Sequence, residues 1–346
     1  MSLTYTTKRK LQRIGFVALA LLMVGIVVWF CWVIWLERYV VYTDEGATLN
    51  FDLEDPGTGN LAAPPSADET ISIYFNEGEN AVNASTELAQ ISGYYIDGDT
   101  LQTDIAGTRE LIASLPSDTA VMMEVKNIKG SFYYSSELDD AVMSTNVDVV
   151  SVDSLIEDLN SRNLYTIACL PAFRDWNYGL NHVSSGLPLP AGYLWVDSQG
   201  CYWLDPTDSG TMGWLYSIAE ELRDLGFDEV VFTDFCFPDT DKIVFKEDKN
   251  EAIKTAAANL VKTCAKDNFA VSFVTTDMSF TLPEGRCRMY MENVGAKDVG
   301  SIIAQVTVPD PTINLVFLST TNDTRFNDYS VLRPIITAQD DLNKMQ

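Results

Sequence analysis

Short apolar segments alternate with amphipathic stretches along the chain beyond residue 88. The apolar segments predict strands at residues 90–95, 120–125, 165–171, 229–235, 270–275, 288–291 and 314–318, with an eighth candidate at 331–336. Residues 104–115, 154–162, 247–266 and 297–305 are predicted helices, and the clearest helix follows Asp208 and Ser209 and stops at Gly226. Strands that alternate with helices are typical of a parallel sheet. The pattern therefore predicts an α/β fold, a TIM (β/α)8-type barrel over residues 88–340.

An open, doubly wound sheet is the alternative arrangement of the same elements. A dinucleotide-binding sheet of that kind carries a glycine-rich turn after its first strand. The first predicted strand is instead followed by Ile96-Asp97-Gly98-Asp99, which contains no G-x-G-x-x-G. The barrel is therefore the favoured architecture.

The N-terminal part of the chain has a different pattern. Residues 14–36 contain no charged side chain, and a helix needs roughly 20 residues to cross the hydrocarbon core of a bilayer. Amphipathic rings that favour the membrane interface crowd one end of this segment, at Trp29, Trp32 and Trp35. Cations precede it, so we expect residues 1–13 in the cytoplasm and a single-pass signal-anchor helix with the C-terminal domain extracellular. A cleavable signal peptide is the alternative, although its apolar region is typically only about 7–15 residues long.

Residues 37–87 join the predicted transmembrane helix to the predicted barrel. They are acidic and contain Asp55-Pro56-Gly57 and Ala63-Pro64-Pro65, which are typical of extended, solvated segments. We therefore expect an extracytoplasmic linker here.

The chain is strongly acidic, with 49 Asp and Glu residues against 23 Lys and Arg and a net charge of −26. This charge repels phosphate backbones, so nucleic acid is a poor candidate partner and neutral or cationic ligands remain. His182 is the only histidine, which excludes zinc sites with two or three histidine ligands. No cofactor and no metal site are predicted, because Asp239 and Asp241 alone are weak evidence for calcium. The widely spaced cysteines are interpreted mainly as small buried apolar residues.

Carboxylates follow several of the predicted strands. Glu124 ends the second strand, Asp234 the fourth, Asp277 the fifth and Glu292 the sixth. In a barrel the carboxyl ends of the strands meet at one rim, where catalytic groups converge. Paired carboxylates suit glycoside hydrolysis, in which one protonates the leaving oxygen and the other stabilises or attacks the sugar carbon. These four residues are the catalytic candidates.

A long segment rich in aromatic residues, residues 174–208, follows the third predicted strand. Aromatic rings pack against the C–H faces of sugars while polar neighbours hold the hydroxyl groups. The segment therefore predicts a saccharide-binding wall, with candidate substrate-binding residues Arg174, Trp176, Trp195, Tyr202, Trp203 and Asp205. The alternative is that the rings only fasten a long loop to the barrel.

Four runs, at residues 121–127, 165–175, 203–206 and 225–238, resemble a glycoside hydrolase domain family of bacterial envelope proteins in order and spacing. The resemblance covers residues 90 to 280 and implies a TIM barrel akin to the amylase-like hydrolases, often on a membrane or lipid anchor. Asp205 matches the family's Asp-Pro after the aromatic loop, and Phe237-Pro238 matches its Phe-Pro after the fourth strand.

The chain departs from the family pattern at the end of the fourth strand. The family shows Phe-Asp-Tyr-x-Arg-Phe-Pro, so Thr233 stands in place of Asp and Cys236 in place of Arg, while Glu124 replaces an Asp on the second strand. Strand alternation would place Asp234 on the outer face unless a bulge redirects it.

Two functions follow from these observations. The leading interpretation is a membrane-anchored extracytoplasmic glycoside hydrolase-like protein that acts on a polysaccharide or cell-envelope glycan by carboxylate acid/base chemistry. The alternative is a catalytically degenerate barrel that binds glycan or an envelope partner without hydrolysis. A purely structural envelope component is a third interpretation, and it requires a barrel mouth filled by side chains.

Overall fold

The computed structural model describes residues 40–43, 46–49, 88–162 and 164–336. The chain divides into two compact units, Met1–Glu79 and Asn80–Gln346. In the first unit, β1 (Val40–Thr43) pairs antiparallel with β2 (Gly46–Leu49), a hairpin within the predicted linker that the sequence analysis did not predict.

The predicted transmembrane helix at residues 14–36 and the predicted tail at residues 1–13 lie outside the described residues. Within the described ranges, no helix is both long enough and apolar enough to cross a membrane. The anchor therefore stays a prediction.

Eight parallel strands form a closed barrel in the second unit, as predicted. Among its described residues the strands are, in chain order, β3 (Ser92–Ile96), β4 (Ala120–Glu124), β5 (Ser131–Phe132), β6 (Val142–Met143), β7 (Tyr165–Pro171), β8 (Glu229–Thr233), β9 (Ala270–Val274), β10 (Met289–Glu292), β11 (Leu315–Leu318) and β12 (Ser330–Pro334). Around the barrel the order is β3, β4, β7, β8, β9, β10, β11 and β12, and β12 pairs with β3 to close it. The short strands β5 and β6 pair with each other outside the barrel. The closed order excludes the open doubly wound sheet.

Helices lie between the strands. They are α1 (Gly98–Thr103), α2 (Ile105–Ala113), α3 (Val149–Ser161), α4 (Trp176–Asn181), α5 (Ser209–Asp224), α6 (Lys249–Cys264), α7 (Val299–Ile303) and α8 (Pro311–Asn314). The sequence analysis did not predict α1, α4 and α8, which are too short to show a helical period.

Aspartate side chains cap most of these helices. Their carboxylates accept hydrogen bonds from backbone N–H groups in the first turn, as at Asp208 before α5 and Asp248 before α6. The C-terminus of α5 is as predicted, because Gly226 adopts a φ of 95°, which a residue with a Cβ adopts only with strain.

Strand alternation separates the core into two layers. Side chains such as Val121, Met123 and Phe232 face outward and pack beneath the helices, while Met122 and Val231 face inward. The five cysteines in the described residues are free, and Cys236 is the exposed one among them.

A polar network fills the barrel at the N-terminal end of the strands. Glu229, the first residue of β8, and Arg288, which precedes β10, form an ion pair with both side chains fully buried. The hydroxyl groups of Tyr165 and Tyr290 donate hydrogen bonds to the two carboxylate oxygens at 2.9 and 3.0 Å. The guanidinium also donates to the backbone carbonyl of Ala89 at 2.8 Å. This network closes one end of the barrel, so the open end is the carboxyl-terminal mouth.

We expect Arg288→Met to destabilise the full-length chain by roughly 3–5 kcal/mol, because it leaves the Glu229 carboxylate buried without its cation. Arg109→Met is the control: it breaks an ion pair with Asp158 whose side chains are 41 and 46 % exposed, and it should cost less than about 1 kcal/mol. Equilibrium urea unfolding measures both. Equal losses in the two variants would contradict the role of the buried network.

Candidate active site

A cavity of about 440 Å³ opens at the carboxyl-terminal mouth of the barrel. Three of the four predicted catalytic carboxylates line it: Glu124 at the end of β4, Asp234 after β8 and Glu292 at the end of β10. The mouth is therefore not filled by side chains, which argues against the purely structural interpretation. Apolar residues form much of the remaining wall, including Met122, Leu170, Val274 and Leu318.

The backbone after β8 brings Asp234 into this cavity. Thr233 faces inward, as strand alternation from Glu229 and Val231 requires, and also lines the cavity. Asp234 itself has a left-handed φ of 47°, which breaks the alternation and turns its side chain to the same side. Aspartate and asparagine tolerate this conformation better than most residues, and Asn293, directly after Glu292, repeats it at a φ of 57°.

The three carboxylates are in different electrostatic surroundings. Burial raises the pKa of Glu124, against a hydrogen bond of 2.7 Å from the backbone N–H of Gly98, and the nearby carboxylates Asp97 and Asp99 raise it further. Burial also raises the pKa of Glu292, and the negative charge of Asp234 adds to the effect.

Asp234 differs because cations face it. Burial raises the pKa of its carboxyl group and so does Asp197, while the charges of Arg174 and Lys126 act in the opposite direction. The guanidinium Nη1 of Arg174 lies 3.9 Å from Asp234 Oδ1. Of the three carboxylates at the mouth, Asp234 is therefore the one with cations among the neighbours that shift its pKa.

A family model described as "Putative glycosyl hydrolase domain" matches residues 100–278. The chain belongs to this family. The matched residues include Glu124 and Asp234, whereas Glu292 lies beyond them. No curated protein matches the chain.

Several solved structures are similar to the domain. A hypothetical protein from Ruminiclostridium thermocellum is 21 % identical with a TM-score of 0.45, and the match covers 52 % of this chain and 96 % of that one. A family 20 exo-β-N-acetylglucosaminidase from Vibrio harveyi is 8 % identical with a TM-score of 0.49, over 74 % of this chain and 52 % of the other. An α-galactosidase from Thermus thermophilus is 12 % identical with a TM-score of 0.40, and the chain spans 39 % of its length. These TM-scores lie below 0.5, so the fold assignment depends on the barrel itself.

The aromatic segment of the glycosyl hydrolase domain holds Arg174 in place. Arg174 donates through Nε and Nη2 to Asp197 Oδ2 at 2.7 and 2.5 Å, and its guanidinium lies 5.7 Å from the ring centroid of Trp203. Trp203 donates from Nε1 to the same oxygen at 3.1 Å and is only 7 % exposed. Trp203 is therefore part of the support for Arg174 and does not present a free ring face to a sugar.

The remaining predicted substrate-binding residues do not line the strand-end cavity. Trp195 is half-buried with its ring 6.4 Å from that of Trp203, and Tyr202 packs beside Gly179. Trp176 is 39 % exposed and borders a separate depression with Lys129.

Two predicted acidic residues also lie away from the cavity. Asp205 accepts hydrogen bonds from the backbone and hydroxyl of Thr207, and Asp277 accepts the equivalent pair from Ser279. Asp277 borders a neighbouring depression that also contains Cys236. The structure thus separates Asp277 from the other three catalytic candidates.

The sequence analysis missed three residues at this site. Cys169 lies on the cavity wall, where burial and the three carboxylates raise the pKa of its thiol well above the ordinary value. Its inward position follows from alternation along β7, so the strand pattern contained a signal for it. Asp197 and Lys126 carried no such signal, because their contacts join distant loops. Across the described part of the chain, no group of three or more His, Cys, Asp or Glu side chains is arranged to hold a metal ion.

We expect Trp203→Ala to destabilise the domain by about 3–5 kcal/mol, because it empties a buried site and removes the support of Arg174. Tyr193→Ala, in the same segment at 75 % exposure, should change stability by no more than about 0.5 kcal/mol. Urea unfolding of the two variants tests this. A stable Trp203 variant would contradict the structural role and return Trp203 to the substrate-binding candidates.

Proposed function

We propose that this domain hydrolyses glycosidic bonds, with Asp234 as the charged carboxylate beside the sugar carbon and Glu292 as the general acid. The proposal depends on one observation. Asp234 and Glu292 line the same cavity at the mouth of the barrel, where burial and then the charge of Asp234 raise the pKa of Glu292.

The surroundings of the two carboxyl groups support this division of roles. The Arg174 guanidinium and the Lys126 ammonium favour the charged form of Asp234. Burial, and after it the charge of Asp234, favours the protonated form of Glu292. A pair of carboxyl groups with such different surroundings is suited to supplying one acid and one charged carboxylate at the same pH.

A neutral or cationic saccharide is the substrate class that suits the site. Carboxylates dominate the polar part of the cavity wall, and an anionic sugar would meet repulsion from them. Glu124 accepts a hydrogen bond from the Gly98 N–H through Oε2, and its second oxygen can accept a hydrogen bond from a sugar hydroxyl.

The charge pattern of the N-terminal residues extends the proposal to location. An uncharged segment at residues 14–36, preceded by cations, supports a single-pass anchor with the domain on the outer side of the cell membrane. A polysaccharide or cell-envelope glycan would then be within reach.

A barrel that binds glycan without cleaving it is the second candidate. It is favoured by Thr233, an uncharged residue that takes the inward position at the end of β8. The experiments below distinguish the two functions, because binding alone gives no turnover in the wild-type chain.

Asp234→Asn should lower turnover by roughly three orders of magnitude or more, because the amide cannot supply the negative charge. The full-length chain is assayed on a polysaccharide panel for new reducing ends and for binding, with urea unfolding as the check on folding. Asp277→Asn is the matched control and should stay within about threefold of wild type. Unchanged hydrolysis by the Asp234 variant would exclude its proposed role, and wild-type binding without turnover would favour the second candidate.

Turnover should have a bell-shaped dependence on pH. The rate falls in acid as Asp234 is protonated, and it falls in base as Glu292 loses its proton. Because the pKa of Glu292 is raised, the basic limb should lie above the ordinary titration range of a glutamate. Glu292→Gln should lower kcat/KM and remove this limb, which a pH profile of kcat/KM measures. Because Asp234 and Glu292 interact, the apparent pKa values of the two limbs belong to the pair and not to either residue alone. Persistence of the basic limb in the variant would assign the acid to Glu124.

A further inference from the structure

We propose that Lys126, through its buried ion pair with Asp175, is a positioning residue of the active site: the ion pair helps to hold Arg174 beside Asp234, and the ammonium adds to the positive charge that this carboxylate faces. The inference rests on the proposed function for its catalytic consequence. Its electrostatic part concerns Asp234 alone and is testable without a substrate.

The ion pair lies in the protein interior. Lys126 Nζ is 2.7 Å from Asp175 Oδ2, and each side chain is only 1 % exposed. The ammonium also lies 5.9 Å from the ring centroid of Phe132. Removing two charges from water is costly, and a pair of this kind is weak as a source of stability. A cation held at such a cost has its largest effect on other buried charges, because little solvent screens it.

Asp175 is enclosed by the turn that follows β4. It accepts a hydrogen bond from the backbone N–H of Tyr178 at 2.9 Å and so caps α4. Gly130 has a φ of 79°, and a Cβ at this position would lie 2.3 Å from Asp175 Oδ1. Lys126 precedes this turn, so the ion pair joins the end of β4 to the start of α4.

This junction determines where Arg174 lies. Arg174 directly precedes Asp175 in the chain, and the backbone N–H of Asp175 donates to the carbonyl of Tyr202 at 3.1 Å. From this fixed backbone the Arg174 side chain reaches Asp197 and, at 3.9 Å, Asp234. The ion pair therefore acts on Asp234 in two ways, by the charge of Lys126 and by the placement of Arg174.

The other charged and titratable groups around Asp234 are few in the described structure. Asp197 and Glu292 are acidic and oppose ionisation of Asp234, while the thiols of Cys169 and Cys236 are kept protonated by raised pKa values. Arg174 and Lys126 are the cations that favour it. Both cations lower the pKa of Asp234, so loss of Lys126 would leave Arg174 alone in that role.

The test is a carboxyl ¹³C NMR titration of Asp234 in the full-length chain, with Asp234→Asn used to assign the signal. In Lys126→Met/Asp175→Asn, which removes both charges and leaves none unpaired, the pKa of Asp234 should shift upward. Asp175→Asn alone isolates the charge of Lys126, because the asparagine keeps the cap and with it the placement of Arg174 while the ammonium loses its counter-ion. The pKa of Asp234 should therefore shift downward in this variant. Asparagine can still cap α4, so this variant preserves the local fold.

Lys126→Arg keeps the charge and should leave the titration close to wild type. Arg109→Met/Asp158→Asn removes an exposed ion pair of similar length, at 2.6 Å, and should have no effect on Asp234. In the hydrolysis assay, the double variant at Lys126 and Asp175 should move the acid limb of kcat/KM to higher pH. If the ion pair had a purely structural role, the pKa of Asp234 would not shift in opposite directions in Lys126→Met/Asp175→Asn and in Asp175→Asn.

An unchanged Asp234 titration in the folded double variant would overturn the proposal. If the double variant does not fold, Asp175→Asn decides: a downward shift supports the proposal, and an unchanged or upward value overturns it. Absence of turnover in the wild-type chain would instead refute the proposed hydrolase function and leave the titration result valid.

Discussion

The buried ion pair between Glu229 and Arg288 is the constraint on which the rest of the barrel depends. An eight-stranded barrel must fill its interior with side chains, and here the amino-terminal layer is a polar network in which two tyrosines complete the hydrogen bonding of the carboxylate. Above it lies an apolar layer that includes Met122 and Val231. Filling the barrel from this end leaves the cavity at the other end, where the strand-end carboxylates meet.

At the mouth of the barrel, in contrast to the paired charges of Glu229 and Arg288 at the other end, carboxylates outnumber cations. Glu124, Asp234 and Glu292 line one cavity, and burial raises the pKa of each. Such an arrangement opposes full ionisation, and raised pKa values of this kind cluster at functional sites. The cations that offset it, Arg174 and Lys126, follow the ends of the neighbouring strands β7 and β4, and Arg174 lies 3.9 Å from Asp234.

Trp203, which was predicted to bind substrate, has a structural role in the aromatic segment, residues 174–208. Trp203 and Asp197 together hold the guanidinium of Arg174, which connects a surface loop to the charge state of a cavity residue. The alternative in which aromatic rings fasten the loop therefore holds for Trp203. Trp176, at the edge of a separate depression, retains an exposed ring.

At the end of β8 this chain departs from the pattern of the glycosyl hydrolase family to which it belongs. The family places Asp where this chain has Thr233, and the left-handed backbone of Asp234 returns a carboxylate to the cavity one residue later. Thr233 lines the same cavity as Asp234, whereas Cys236 lies in the neighbouring depression.

Periodicity along the chain was enough to predict all eight barrel strands, because each is a local pattern of apolar residues bounded by turns. The same strand ends identified Glu124, Asp234 and Glu292, since in a closed parallel barrel these positions must meet. The sequence could not separate Asp277 from them, nor predict the left-handed turn at Asp234, because both depend on loop backbone. It also contained no sign of the Lys126–Asp175 pair or of the support of Arg174 by Asp197. These contacts join residues that are far apart in the chain, and only the tertiary structure decides which charges share a low-dielectric environment.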